Sequence, residues 1–145
     1  MTVSRLATLD YALIVPATVP AERLGRRTAT QNYVREQNRA VQAEEFSKRR
    51  ADFHLLDVRE NDEWDAGHID GAQHIPLGEL SARLGELPKE RTIVAVCRSG
   101  GRSDAAVRGL RKLGYEAENL EGGVNAWDRA KLPLVDANGG RGRVI

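Results

Sequence analysis

The stretch VCRSGGRS, residues 96–103, holds Cys97, the only cysteine in this 145-residue chain. A thiol becomes a nucleophile at neutral pH when positive charge or converging peptide N–H groups lower its pKa. Arg98 and Arg102 supply the charge, and Gly100 and Gly101 permit a tight turn in which backbone amides meet at one point. If a strand ends at Cys97 and a helix starts at Ser103, the loop lies at the carboxyl edge of a sheet, where open α/β sheets bind ligands. Such a loop holds an anion and favours thiolate over thiol. Asp104, in the first turn of the helix, acts against this with its own negative charge. The same residues also fit a small buried side chain beside an ordinary turn, so the loop alone leaves both readings open.

The neighbouring segments must position that loop. TIVAVC (92–97) is a continuous β-branched and apolar run, as expected of a strand covered on both faces in a parallel sheet. SDAAVRGLRKLGY (103–115) predicts a helix with Ser103 as N-cap, with Ala106, Leu110 and Leu113 on one face and with Gly114 at C′. Upstream, VQAEEFSKRR (41–50) suits a helix with acidic residues early and basic residues late, and FHLLDV (53–58) suits a buried strand. LGELSARLGEL (77–87) places Leu77, Leu80, Leu84 and Leu87 at helical spacing before Pro88. AENL (117–120) predicts a short strand and VNAWDRA (124–130) a last helix before Pro133. Short alternating strands and helices imply an α/β sandwich with a mainly parallel sheet and right-handed crossovers.

Composition narrows the function classes. Hydrophobic residues make up 41% and charged residues 30%, the balance of a globular protein. A formal net charge of +1 leaves no overall footprint for nucleic acid. The basic surplus is concentrated in the first fifty residues, and residues 1–40 read as a solvated or docking arm with a short helix around Asn32–Arg39. One cysteine excludes an internal disulfide, a Cys-x-x-Cys redox pair and a thiolate zinc site, so no metal is expected. The apolar run Tyr11–Val19 is too short to cross a bilayer, and no convincing secretory signal appears, so a cytoplasmic protein without a membrane partner is expected. VDANGGRGRVI (135–145) reads as a flexible tail.

LLDVRENDEWDAGHIDGAQHIPL (55–77), VCRSGGRS and LEGGVNAW (120–127) together resemble, in order and spacing, the motifs of a single rhodanese (thiosulfate sulfurtransferase) domain, over about Val41 to Leu134. The resemblance implies a rhodanese-like three-layer sandwich and a covalent cycle with no cofactor. In that cycle Cys97 takes the outer sulfur of a donor as a persulfide and passes it to a nucleophilic acceptor. Substrate binding falls to Arg98, Ser99, Gly100, Gly101, Arg102 and Ser103, whose amides and guanidiniums would hold a thiosulfate-like anion. Cyanide or a thiol would accept the sulfur, and a sulfur-carrier protein or thioredoxin-like reductant could stand in that place. Asp57 and Arg59 match the family's Asp-Val-Arg and take a supporting role, as an ion pair in the loop scaffold. His68 and His74 belong to the scaffold, and Trp64 and Trp127 are expected in the core.

Two other functions share this physics. A cysteine phosphatase or arsenate reductase also sets a thiolate under an amide nest, but its loop is Cys-x5-Arg. Here Cys97 to Arg102 is one residue shorter, which suits a sulfur atom better than a phosphoryl group. The non-enzymatic alternative is a sulfur-relay or protein-interaction module.

Overall fold

The computed structural model of the chain describes residues 40–145 together with Thr28 and Thr30. The arm expected at 1–40, with its short helix and the apolar run Tyr11–Val19, otherwise lies outside the described residues.

Alternation along one strand explains the layering. In β4 (Thr92–Val96) the side chains of Ile93 and Ala95, continued by Cys97, enter one apolar cluster, and those of Val94 and Val96 enter the other. Apolar residues on both faces require a cover on both faces, and the fold supplies it. On the first face lie α3 (Gly101–Lys112) and a 3-10 segment, Leu77–Glu86. On the second lie α1 (Ala43–Lys48) and α4 (Gly123–Arg129), where Phe46 and Trp127 meet edge to face with ring centroids 6.1 Å apart.

The sheet between these layers also contains β1 (Ala40–Val41), β2 (Phe53–Asp57), β3 (Gln73–His74) and β5 (Ala117–Leu120). The order is β1-β5-β4-β2-β3 and every pairing is parallel. This is the α/β three-layer sandwich expected, with a sheet that is wholly parallel. Ala40, counted with the arm from sequence, already pairs with Asn119 of β5. A further helix, α2 (Asn61–Ala66), follows β2 and is closed at its start by a reciprocal capping box between Glu60 and Glu63.

Three local expectations are corrected. The helix predicted over 77–87 is 3-10 in form and breaks at Arg83. Its leucines still face the core, and Gly78 and Gly85 account for the weak α-helical preference. Ser103 is not the N-cap of α3. Gly100, at φ +120°, turns the chain so that the helix starts at Gly101, which puts Ser103 inside the first turn. The segment 135–145, read as a flexible tail, is tied to the body. Val135 exchanges backbone hydrogen bonds with His68, at 2.8 and 2.9 Å, and Arg143 N–H donates to Ala66. Gly67 and Gly142 are the reason the chains pass so closely, since a Cβ on Gly67 would lie 2.4 Å from the Arg143 backbone.

Candidate active site

Cys97 follows the last residue of β4, with 1% of its surface exposed. Backbone N–H groups of Ser99, Gly100 and Ser103 point at its sulfur, with Gly100 N–H 3.1 Å from Sγ, and the Ser103 hydroxyl lies 3.3 Å away. Burial pushes the thiol pKa up, and the Ser103 hydroxyl and the three amides push it down. The donors prevail, and the thiol titrates below its ordinary value. An amide nest at the end of a buried strand therefore favours the thiolate form of Cys97.

The loop takes this shape because α4 grips it from behind. Val124 N–H donates to the Cys97 carbonyl at 2.9 Å, and Asn125 N–H donates to the Arg98 carbonyl at 3.0 Å. In a trans peptide the N–H points opposite to the C=O, so fixing the Arg98 carbonyl toward α4 turns Ser99 N–H toward Sγ. Gly123 makes this approach possible. It sits at φ +64°, and a Cβ there would lie 2.4 Å from the Cys97 carbonyl oxygen.

The two loop arginines differ in their surroundings. Arg98 is exposed. Arg102 is held in a two-point ion pair by Glu63 of α2, with Nη1 to Oε1 at 2.7 Å and Nη2 to Oε2 at 2.8 Å. The Arg102 guanidinium is the main reason that the Glu63 carboxyl is held down to about 2, and Glu63 in turn raises the pKa of Arg102. Asp104 pairs with Arg108 at 2.7 Å on the helix surface, so its charge is partly neutralised away from Sγ.

Asp57 and Arg59 form the ion pair expected of them. Both side chains are fully buried, with Arg59 Nη2 2.8 Å from Asp57 Oδ2 and Nε within 3.1 Å of both carboxylate oxygens. Arg59 Nη2 also donates to the Gly67 carbonyl at 2.8 Å. The pair joins the end of β2 to the turn after α2, the helix that carries Glu63. His74 Nε2 donates to the Arg59 carbonyl and His68 Nδ1 to the Trp64 carbonyl. Both rings stack on Trp64, with centroids 4.6 and 3.5 Å away. Trp64 is only half-buried and forms this stack, whereas Trp127 lies in the core at 2% exposure.

Three contributors were not singled out from sequence. Glu63 stood in a motif quoted above, but its arginine partner is 39 residues distant. Asn119, in the stretch read only as a short strand, donates from Nδ2 to the Gly100 carbonyl at 3.1 Å and accepts from Ser103 Oγ at 2.6 Å. The register Ala95↔Asn119 puts it beside the loop. The α4 amides carry no signal of their own, since any residue has an N–H.

A buried thiol at the carboxyl end of a parallel strand, set in an amide nest on a three-layer α/β body, defines a cysteine-loop domain. The chain belongs to the rhodanese-like domain family, which matches residues 42–130. It is 39% identical over 103 residues to a sulfurtransferase of Allochromatium vinosum, which covers 68% of this chain and 96% of that protein. It is 43% identical over 82 residues to the probable adenylyltransferase/sulfurtransferase MoeZ of Mycobacterium tuberculosis, covering 54% of this chain and only 21% of that longer relative. Among solved structures, the rhodanese-related protein from Thermoplasma volcanium superposes with a TM-score of 0.65 at 32% identity, covering 67% of this chain and 97% of the other. Among the described residues, no helix is long and apolar enough to cross a membrane.

Proposed function

We propose that this chain is a sulfurtransferase that carries sulfane sulfur on Cys97. The Cys97 thiolate attacks the outer sulfur of a donor such as thiosulfate. A bond forms between Sγ and that sulfur as the donor's S–S bond breaks, and sulfite leaves with the electron pair. A nucleophilic acceptor, cyanide or a thiol, then attacks the outer sulfur and Sγ departs as thiolate. The observation that carries this reading is the set of Ser99, Gly100 and Ser103 amides directed at Sγ. Arg98 and these amides receive the anionic donor, because Arg102 is engaged by Glu63. Asp57 and Arg59 support the loop from beneath and take no part in the chemistry. Ser103, at the position where a Cys-x5-Arg loop would have its arginine, faces the sulfur from inside α3, which disfavours phosphoryl transfer.

Intact-mass measurement after exposure to thiosulfate tests the proposal. One added sulfur atom on the wild-type chain and none on Cys97→Ser is the expected result. Thiocyanate formation from thiosulfate and cyanide by Cys97→Ser would overturn it. A second reading, protein-to-protein sulfur relay, draws on the combined adenylyltransferase/sulfurtransferase name of the MoeZ relative. Faster loading of Cys97 from a cysteine-desulfurase persulfide than from thiosulfate would favour relay.

A further inference from the structure

Ser103 Oγ lies within reach of three acceptors but has one proton to give. They are Asn119 Oδ1 at 2.6 Å, the Gly100 carbonyl at 3.2 Å and Cys97 Sγ at 3.3 Å. The Gly100 carbonyl already accepts Asp104 N–H at 2.9 Å and Asn119 Nδ2 at 3.1 Å, so both its lone pairs are used. A carbonyl only accepts, which fixes the Asn119 amide with Nδ2 toward Gly100 and Oδ1 toward Ser103. The contest for the hydroxyl proton is therefore between Asn119 Oδ1 and Sγ.

Its outcome depends on the charge of the sulfur. A neutral thiol must direct its own S–H at an acceptor, and the three amides around it are donors. Ser103 Oγ is the acceptor they leave, and it serves as one while its own proton goes to Asn119. A thiolate reverses the demand, and the hydroxyl gains most by turning to the negative sulfur. We propose that Asn119 is a positioning residue that holds the Ser103 hydroxyl off Sγ while the sulfur is neutral and yields it when the sulfur becomes an anion.

The consequence for turnover rests on the sulfur-transfer reading above. In the persulfide, Sγ is neutral and divalent, so the hydroxyl points to Asn119. As an acceptor attacks the outer sulfur, the bond from that sulfur to Sγ breaks, its electron pair stays on Sγ, and the hydroxyl turns to meet the new charge. A donor engaged more strongly in the transition state than in the ground state accelerates the step. The other charges around Sγ are fixed in pairs: Arg102 with Glu63 from α2, Asp57 with Arg59 at the end of β2, and Asp104 with Arg108 on α3. Arg98, in the loop itself, is exposed.

Titrating the thiolate by its ultraviolet absorbance in the absence of any donor tests the proposal independently of the transferase reading. Ser103→Ala is expected to raise the Cys97 pKa by roughly half to one unit, the size of one hydrogen bond. Asn119→Ala also removes the tie to Gly100, so it is compared in Ser103 and Ser103→Ala backgrounds, where that loss is common to both. The change it causes is expected to lie lower in the Ser103 background by a similar roughly half to one unit. Equal changes in the two backgrounds, or no rise in Ser103→Ala, would overturn the proposal. Asn119→Leu, with the same number and branching of heavy atoms, provides the same comparison if the alanine variant does not fold.

Discussion

Two neighbouring strands end side by side in this molecule and finish differently. β2 ends at Asp57 and β4 at Val96, paired in register, and each runs directly into a buried group that can carry negative charge. Asp57 meets its counter-charge two residues later in Arg59, and the two are locked together with no exposed surface. Cys97 meets peptide N–H groups and a hydroxyl instead of a cation. A carboxylate closed against a guanidinium is chemically spent and serves as scaffold. A thiolate held by dipoles keeps a lone pair for a new bond. The two strand ends thus differ in how a buried anion is compensated.

Substitutions at the two strand ends should separate these roles. Cys97→Ser has the largest effect, complete loss of sulfur uptake by intact mass, with near-native circular dichroism. Asp57→Asn leaves the buried Arg59 charge uncompensated and should lower stability by about 3–5 kcal/mol in urea melts. It should leave the Cys97 pKa nearly unchanged; a pKa shift as large as that of Ser103→Ala would show that the two strand ends are not separable. Gly123→Ala forces a methyl group against the Cys97 carbonyl and displaces the loop amides, for a loss of about 100-fold in kcat/KM with thiosulfate, because misplacement on the ångström scale costs about that much.

The smallest effect concerns the two arginines. Glu63→Gln releases Arg102 toward the loop, and the KM for thiosulfate should fall by about twofold to fivefold, an effect that weakens as salt is raised. The Glu63 carboxyl is depressed, so the ion pair stabilises the fold at neutral pH and its contribution is lost as pH falls from the ordinary carboxylate range toward about 2. Alkylation of Cys97 should follow a different profile. Its rate should rise with pH and level off with a midpoint below that of an unperturbed cysteine, because the folded thiol is depressed. A midpoint at or above the unperturbed value would put burial ahead of the amide nest.

Legibility in the sequence followed contact range. The continuous apolar run in TIVAVC announced a strand buried on both faces, and the glycines after Cys97 announced the turn, because each signal is local. The 3-10 form of 77–86 was hidden, since the same leucine spacing serves a 3-10 or an α-helical segment when the leucines need only reach the core. The tail misled for a related reason: glycines that suggest flexibility here permit close passage of two backbones.

Sequence by itself placed the single cysteine, the strand that buries it and the tight turn over it. Tertiary structure decided how the loop is charged and held. Glu63 neutralises Arg102 from 39 residues away, Asn119 faces Ser103 from 16 residues away, and the α4 amides fix the carbonyls of Cys97 and Arg98. The physical reason is that a thiol's reactivity depends on every dipole and charge within a few ångströms, and most of those reach Cys97 only after β5, β4 and β2 have been laid side by side.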